Sequence, residues 1–373
     1  MKIIIAPDKF KGSLTAFDVC KAVMAGIKNI DESIQAISFP MADGGDGFAS
    51  VMQYYLHTES VSCISMDPLL RSIEASYQWN EKTKTAIIEM AVASGLVLLK
   101  EDERNPLMAT SYGTGLLIKD AIAKGATTII LGLGGSATND GGTGILEALG
   151  FQFFDAGNKN LRANGSALLS IRKIIAPPLP EIRFELACDV QNLLYGPHGA
   201  SYIYAPQKGA DEQQVQQLDD GLKNLAAILE QQTGKHISNI KGAGAAGGIA
   251  ASLISFFNAE LKAGIDMILS VSNIEKEMNS AQLIVTGEGK IDRQSMDGKV
   301  IGKIASLAKE RRIPVIALCG RLELDAQEIK ETGLTNAYAI GESLSLYESM
   351  TNAKKLLEVK TAEIVSSMLG PDR

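Results

Sequence analysis

A chain of 373 residues with 46% hydrophobic content exceeds the ~250–300 residues at which a single core stops growing, so two domains are expected. The balance of 36 basic against 43 acidic residues gives a net charge of -7 without a Lys/Arg run, and aromatics stand at 5%. Those figures exclude nucleic acid and membrane surfaces as partners, since neither an electrostatic footprint nor a base-stacking platform is present. Cys20, Cys63, Cys188 and Cys319 lie far apart with no CxxC pair, and the three histidines, His57, His198 and His236, have no metal spacing. Neither a disulfide framework nor a zinc site is suggested, the thiols read as reduced in a cytoplasmic protein, and carboxylates and lysines must carry the chemistry. The N-terminal apolar run is too short for a signal peptide, and no stretch approaches the ~18 apolar residues of a membrane span.

Residues 2–6 form a strand candidate ending at Pro7, Asp8 and Lys9, and Thr15 to Asp18 make a capping-box-like start for a helix carrying Val19, Val23 and Ile27. A second strand near residues 34–39 runs into MADGGDG (41–47), then into a helix with Phe48, Val51, Met52 and Tyr55 on one face. Asp8, Asp43 and Asp46 therefore follow strand ends, the edge where ligands bind in open α/β sheets if the strands are parallel. After Met66 the pattern alternates through Ile73, Ala75, Tyr77 and Trp79, turns at EKTK (81–84) and returns over 85–91. That is a hairpin, and it places a domain boundary near Met66.

Residues 127–131 are a β-branched run leading into six glycines, Gly132, Gly134, Gly135, Gly141, Gly142 and Gly144, which leave backbone N–H groups free to converge on an anion. Ser136, Thr138 and Asn139 add hydroxyl and amide groups, and Asp140 is a candidate to hold a cation. The alternative is a tight packing turn, which needs one or two glycines rather than six. Gly132, Gly134 and Ala137 also satisfy GxGxxA after a strand, with Asp155 closing FQFFD at the distance of a ribose-binding acid, which would fit a nicotinamide-dependent dehydrogenase. Against that, Gly141 and Gly142 fall where the helix should propagate, at ~1 kcal/mol each relative to alanine. The Asn139-Asp140 pair also puts a carboxylate where a pyrophosphate would be repelled unless a metal intervenes.

A strand over 182–187 ends at Cys188 and Asp189, IYAPQKGA surrounds Lys208, and residues 211–232 make an amphipathic helix with Val215, Leu218, Leu222, Leu225 and Leu229 as its buried stripe. KGAGAAGG (241–248) is either an anion loop or a close helix-packing element. From residue 282 the βαβ rhythm returns: a strand at 283–285, TGEGKID, a helix over 299–309, strands at 315–318 and 337–340, and a terminal helix. The fold class is α/β. Both chain ends (1–66 and 265–373) are expected to form one doubly wound Rossmann/flavodoxin-like domain, with residues 67–264 inserted as a second, mixed-sheet α/β domain.

Glycine loops, the carboxylates Asp8, Asp43, Asp46, Asp189, Glu288 and Asp292, and the lysines Lys11, Lys208 and Lys290 are the components of phosphoryl transfer. No P-loop is present, because GEGKID places Gly-Lys before Ile rather than Ser or Thr.

Taken together, IAPDKFKGSL (5–14), MADGGDG (41–47), TSYGTG (110–115), GLGGSATNDGG (132–142), ACDV (187–190), APQKGA (205–210), GAGAAGG (242–248) and TGEGKID (286–292) resemble, in order, the bacterial type I glycerate kinase family. The resemblance implies ATP-dependent, Mg²⁺-assisted phosphorylation of D-glycerate to 2-phosphoglycerate in a cleft between two α/β domains, with the 3-hydroxyl as the alternative acceptor. Asp189 is then expected to orient or deprotonate the hydroxyl, with Cys188 and Val190 limiting its hydration, and Lys11 and Lys208 to offset phosphate charge. Gly132, Gly134, Gly135, Ser136, Thr138, Asn139, Gly242, Gly244 and Gly247 are expected to hold the ATP phosphates. Asp8, Asp43, Gly44, Thr110 and Ser111 are expected at the substrate, and Glu288 and Asp292 at the metal.

Overall fold

A computed structural model describes residues 1–295 and 299–369. In chain order the first strands are β1 (Lys2–Ile5), β2 (Gln35–Ser38), β3 (Glu59–Met66), β4 (Ser72–Asn80), β5 (Thr85–Glu89), β6 (Thr128–Gly132) and β7 (Gln152–Phe154). There follow β8 (Asn160–Leu161), β9 (Lys173–Ile175), β10 (Arg183–Ala187), β11 (Glu260–Lys262), β12 (Leu283–Ile291), β13 (Val315–Leu322) and β14 (Asn336–Ala339). The chain divides into two compact units, Met1–Asp43 with Ala263–Arg373, and Gly44–Lys262. Among the described residues no helix is long and apolar enough to cross a membrane.

The first unit is a parallel sheet ordered β14-β13-β12-β1-β2. Counting only this unit's strands, that is the flavodoxin-like order 2-1-3-4-5, whose topological switch point falls between β1 and β12. The strand order bears out a doubly wound domain built from both chain ends. The seam continues past the strands, where Thr286 Oγ1 donates to the Ala6 carbonyl (2.8 Å) and the Asp8 N–H donates to the Gly287 carbonyl (2.8 Å). Ile3, Ile5, Val285 and Leu318 pack with Val19, Val23 and Ile27 of helix Ala16–Lys28 and Leu357 and Val365 of helix Ala353–Leu369. Thr15 caps the first of these helices by accepting the Asp18 N–H, as the sequence predicts. TGEGKID, expected as a loop, instead continues β12 as far as Ile291, with Asp292 just beyond it, because β13 runs on beside it and pairs Ile291 with Leu322.

The second unit holds a mixed sheet, β11-β10-β6-β5-β4-β3, parallel from β11 to β5 and antiparallel through β4 and β3. The β4–β5 hairpin and its 81–84 turn match the sequence reading. The expected boundary near Met66 is corrected to Asp43/Gly44: β3 pairs with β4 along its whole length, from Glu59 opposite Trp79 to Met66 opposite Ser72, so residues 44–66 belong here. At the other end the expected boundary at 264/265 shifts to Lys262/Ala263, because β11 pairs with β10 through Lys262. A separate antiparallel sheet, β8-β7-β9, carries the FQFF segment. Helix Glu212–Thr233 is capped by Asp211 through the Gln214 N–H (2.8 Å) and buries the five predicted apolar positions.

Candidate functional site

In the first unit the switch point gathers acids. Asp8 is 4% exposed, and its Oδ1 accepts the Lys9 N–H at 2.6 Å. The Lys9 ammonium lies 3.7 Å from Asp8 Oδ1 and 3.4 Å from Asp43 Oδ1 and so bridges the two acids. Burial raises the Asp8 carboxyl to about 7; the Lys9 cation draws it down, while the negative charges of Asp43 and Glu288 push it further up. Glu288 is likewise raised by burial, opposed by Ser295 and Lys299 and assisted by Asp43 and Asp292. Its Oε1 is buried and makes no hydrogen bond.

Asp292 accepts the Ser295 N–H (3.1 Å) and faces the Lys290 ammonium at 3.1 Å. Lys290 also pairs with Glu323 at 2.7 Å, so it is a surface ion-pair partner. Lys11 is exposed; the cation that bridges these acids is Lys9, which the sequence reading passed over. Asp46 is exposed as well. Among the described residues no three His, Cys, Asp or Glu side chains form a metal-binding group by themselves. A magnesium ion commonly takes only one or two protein carboxylates and completes its shell with water and phosphate oxygens. The unpartnered Glu288 oxygen suits that ion; Asp292, engaged by Ser295 and Lys290, suits it less well.

In the second unit β6 leads into residues 133–142. Asp140 is fully buried: Oδ2 accepts from Ser111 N (2.7 Å), Ser111 Oγ (2.7 Å) and Gly144 N (3.2 Å), and Oδ1 accepts from Gly142 N (3.0 Å). Four donors saturate it, so the expectation of a cation there is corrected. Ser111 Oγ also accepts the Ile145 N–H at 3.1 Å, and Thr110 and Ser111 are both buried. Ser111 braces the loop rather than presenting its hydroxyl to a substrate, contrary to the sequence assignment, while Thr110 Oγ1 accepts the Tyr112 N–H at 3.3 Å.

The Lys208 ammonium, 5% exposed, donates to Ser136 Oγ (2.8 Å) and the Thr138 carbonyl (2.6 Å). Burial lowers it to about 7, partly opposed by the Asp140 charge. Asn139 Nδ2 donates to Ser201 Oγ at 3.1 Å, while Thr138 Oγ1 and Asn139 Oδ1 are buried and unpartnered.

The glycine count has a different cause from the one expected. A Cβ at Gly134 would stand 2.5 Å from Gly45 Cα, and one at Gly247 would stand 2.2 Å from the Thr138 carbonyl oxygen. The loops 44–45, 133–142 and 242–248 are stacked backbone on backbone, and the Gly141 N–H donates to the Gly247 carbonyl at 2.9 Å. Close packing thus accounts for glycines that read as a bare anion cradle. The dinucleotide reading is also overturned. Ten loop residues separate β6 from helix Thr143–Ala148, and FQFF pairs in another sheet, where Asp155 accepts the N–H groups of Gly157 and Lys159.

Asp189 follows β10 and is partly exposed. Only one flank limits its hydration: Val190 is 38% exposed, whereas burial pushes the Cys188 thiol up to about 11, and that thiol donates to the Val190 carbonyl. Gly44 lies against Ala187, where a Cβ would stand 3.1 Å from the alanine Cβ. Asn192, which no spacing singles out, accepts Tyr204 OH at 2.5 Å and donates to the His198 carbonyl at 2.9 Å.

A flavodoxin-like sheet with clustered acids at its switch point, and a mixed sheet with a lysine-clamped glycine loop, define a two-unit α/β enzyme acting on a small molecule. The sequence pattern of the glycerate kinase family matches residues 3–369. A glycerate kinase from Haemophilus influenzae is 40% identical over 99% of both chains, and the glycerate 2-kinase of Escherichia coli K12 is 40% identical over 92% of this chain and 91% of its own. A crystal structure of a Salmonella typhimurium LT2 protein proposed to be glycerate kinase 2 superposes with a TM-score of 0.85 at 34% identity, covering 99% of this chain and 98% of that one. The chain belongs to the glycerate kinase family, phosphotransferases with an alcohol group as acceptor.

Proposed function

We infer that this enzyme transfers the terminal phosphoryl group of ATP to the 2-hydroxyl of D-glycerate, giving 2-phosphoglycerate and ADP. The acid group at the β1/β12 switch point carries the reading: Asp8, Asp43 and Glu288 sit where open α/β sheets bind ligands, and Glu288 Oε1 is buried without a partner. The choice of the 2-hydroxyl follows the Escherichia coli relative. A new O–P bond forms as the β,γ-bridging P–O bond breaks, and the hydroxyl proton passes to a carboxylate. Asp189, partly exposed at the end of a parallel strand, is assigned that proton. Backbone N–H groups of loop 134–139 and of Gly247 are assigned to phosphate oxygens, whereas those of Gly242 and Gly244, expected there from the sequence, are taken by the Asn192 carbonyl; Lys208 supplies charge beneath the first loop and exposed Lys11 supplies it from solvent. Asp8, Asp43 and Gly44 face the substrate in this scheme. A magnesium ion, held by Glu288 with Asp292 as its second donor, would neutralise charge on the transferring phosphates.

Product analysis by ³¹P NMR after incubation with ATP, Mg²⁺ and D-glycerate tests the assignment. The expected product is 2-phosphoglycerate; 3-phosphoglycerate, or ATP consumption independent of glycerate, overturns it.

A further inference from the structure

We propose that Asn192 is a positioning residue that sets the Asp189 turn against the two glycine loops. The inference rests on the role given to Asp189 above. Both ends of the Asn192 side chain are engaged across the fold of residues 188–208: Oδ1 accepts Tyr204 OH at 2.5 Å, and Nδ2 donates to the His198 carbonyl at 2.9 Å. Its main-chain carbonyl accepts the N–H groups of Gly242 (3.2 Å) and Gly244 (3.1 Å). One residue, three positions beyond Asp189, therefore ties three segments together.

Those segments lead onward to the other loop. Tyr204 closes helix Ala200–Tyr204, whose Ser201 accepts the Asn139 amide, and four residues further Lys208 holds Ser136 and the Thr138 carbonyl. Gly244 has no room for a side chain, since a Cβ there would stand 2.2 Å from the Leu193 carbonyl oxygen. The turn after Asp189 is thus packed directly on the 242–248 loop, and Asn192 fixes its outer side. A side-chain amide suits the place, because it can accept from a hydroxyl and donate to a carbonyl at once; aspartate can do only the first. Misplacing a reacting group by about 1 Å costs on the order of 100-fold in rate, so losing this tie should act on turnover.

The test measures kcat and KM for ATP and D-glycerate in Asn192→Ala, Asn192→Asp, Tyr204→Phe, Asp189→Asn and the doubles Asn192→Ala/Tyr204→Phe and Asn192→Ala/Asp189→Asn, with melting temperatures alongside. Asn192→Ala and Tyr204→Phe are each expected to lower kcat roughly 10- to 100-fold with KM for ATP within about threefold of the parent. Asn192→Asp should fall between them and the parent. The Asn192→Ala/Tyr204→Phe double should be no slower than the worse single, and Asn192→Ala should add less than about twofold to the loss in Asp189→Asn. Multiplicative losses in either double, or KM for ATP rising as steeply as kcat falls, overturn the inference. If Asn192→Ala does not fold, Tyr204→Phe removes one hydroxyl and decides the matter by the same criteria. Near-normal turnover of Asp189→Asn overturns the proton-accepting role of Asp189, whereas a fully active Asn192→Ala beside an inactive Asp189→Asn overturns this inference alone.

Discussion

Asp8 keeps its proton to neutral pH because the fold withdraws it from water and sets two further acids nearby, an effect that Lys9 offsets in part. Its folded value, about 7, lies above the usual 3.8. The stability it contributes is therefore fully present below pH 3.8 and is lost as pH rises through about 7. Asparagine keeps the shape without the charge. Asp8→Asn should gain stability over the parent progressively across this window and hold a constant advantage above it, with a ceiling of about 4 kcal/mol at roughly 1.4 kcal/mol per pH unit. Urea unfolding of both proteins from pH 4 to 8.5 checks this, and an advantage that shrinks with rising pH would contradict it. The sequence marked Asp8 by its place after a strand but chose Lys11 over Lys9. That choice turns on a local fold: the chain doubles back through paired Phe10 and Leu14, leaving Lys11 exposed at the bend while Lys9 faces the acids. Nothing in the spacing of two lysines in a loop encodes such a bend.

At the level of elements, periodicity was a good guide wherever one face is buried. The helix with Val215, Leu218 and Leu222, the hairpin through Tyr77 and Trp79, and the capped start at Thr15 all stand as read. Glycine was the ambiguous signal, since bare backbone serves both anion binding and close approach, and only coordinates reveal what lies opposite. Gly26 shows the second use away from any candidate site. Gly26 lies in the last turn of helix Ala16–Lys28, where alanine would be favoured by at most ~1 kcal/mol on propensity. Here, however, a Cβ would stand 2.4 Å from the Glu358 carbonyl oxygen and 2.7 Å from Thr361 Cβ on the neighbouring helix Ala353–Leu369. Overpacking of this kind costs about 1–3 kcal/mol, and the backbone oxygen cannot swing aside. Gly26→Ala should therefore lower the melting temperature, and an unchanged or raised value would show that the two helices separate without penalty.

For the whole molecule, chain order and unit membership differ in a way that hydrophobic pattern does not reveal. The return of βαβ rhythm after residue 282 exposed the pairing of the two chain ends, but the crossover at Asp43 was hidden because helix Phe48–Leu56 has the same apolar stripe in either unit. What decides its membership is long-range pairing: β3 lies on β4, and the Ala49 N–H is held by Glu89 Oε1 at 2.6 Å. The second unit is consequently contiguous in sequence and has its own core, with Trp79, Ile88, Leu131, Leu186, Leu225 and Ile249 among its buried members. The first unit is not contiguous. Residues 1–43 supply only β1 and β2, and β1 needs β12 on its other side. A two-stranded remnant cannot sustain itself in water, whereas a unit with a complete sheet and core can fold alone. A fragment spanning residues 44–262 should unfold in urea with a single cooperative transition and retain near-ultraviolet circular dichroism from Trp79, while residues 1–43 alone should show neither. A fragment 44–262 lacking a cooperative transition would mean that its core depends on the flanking chain, and the division at Asp43 would then describe geometry without describing a folding unit.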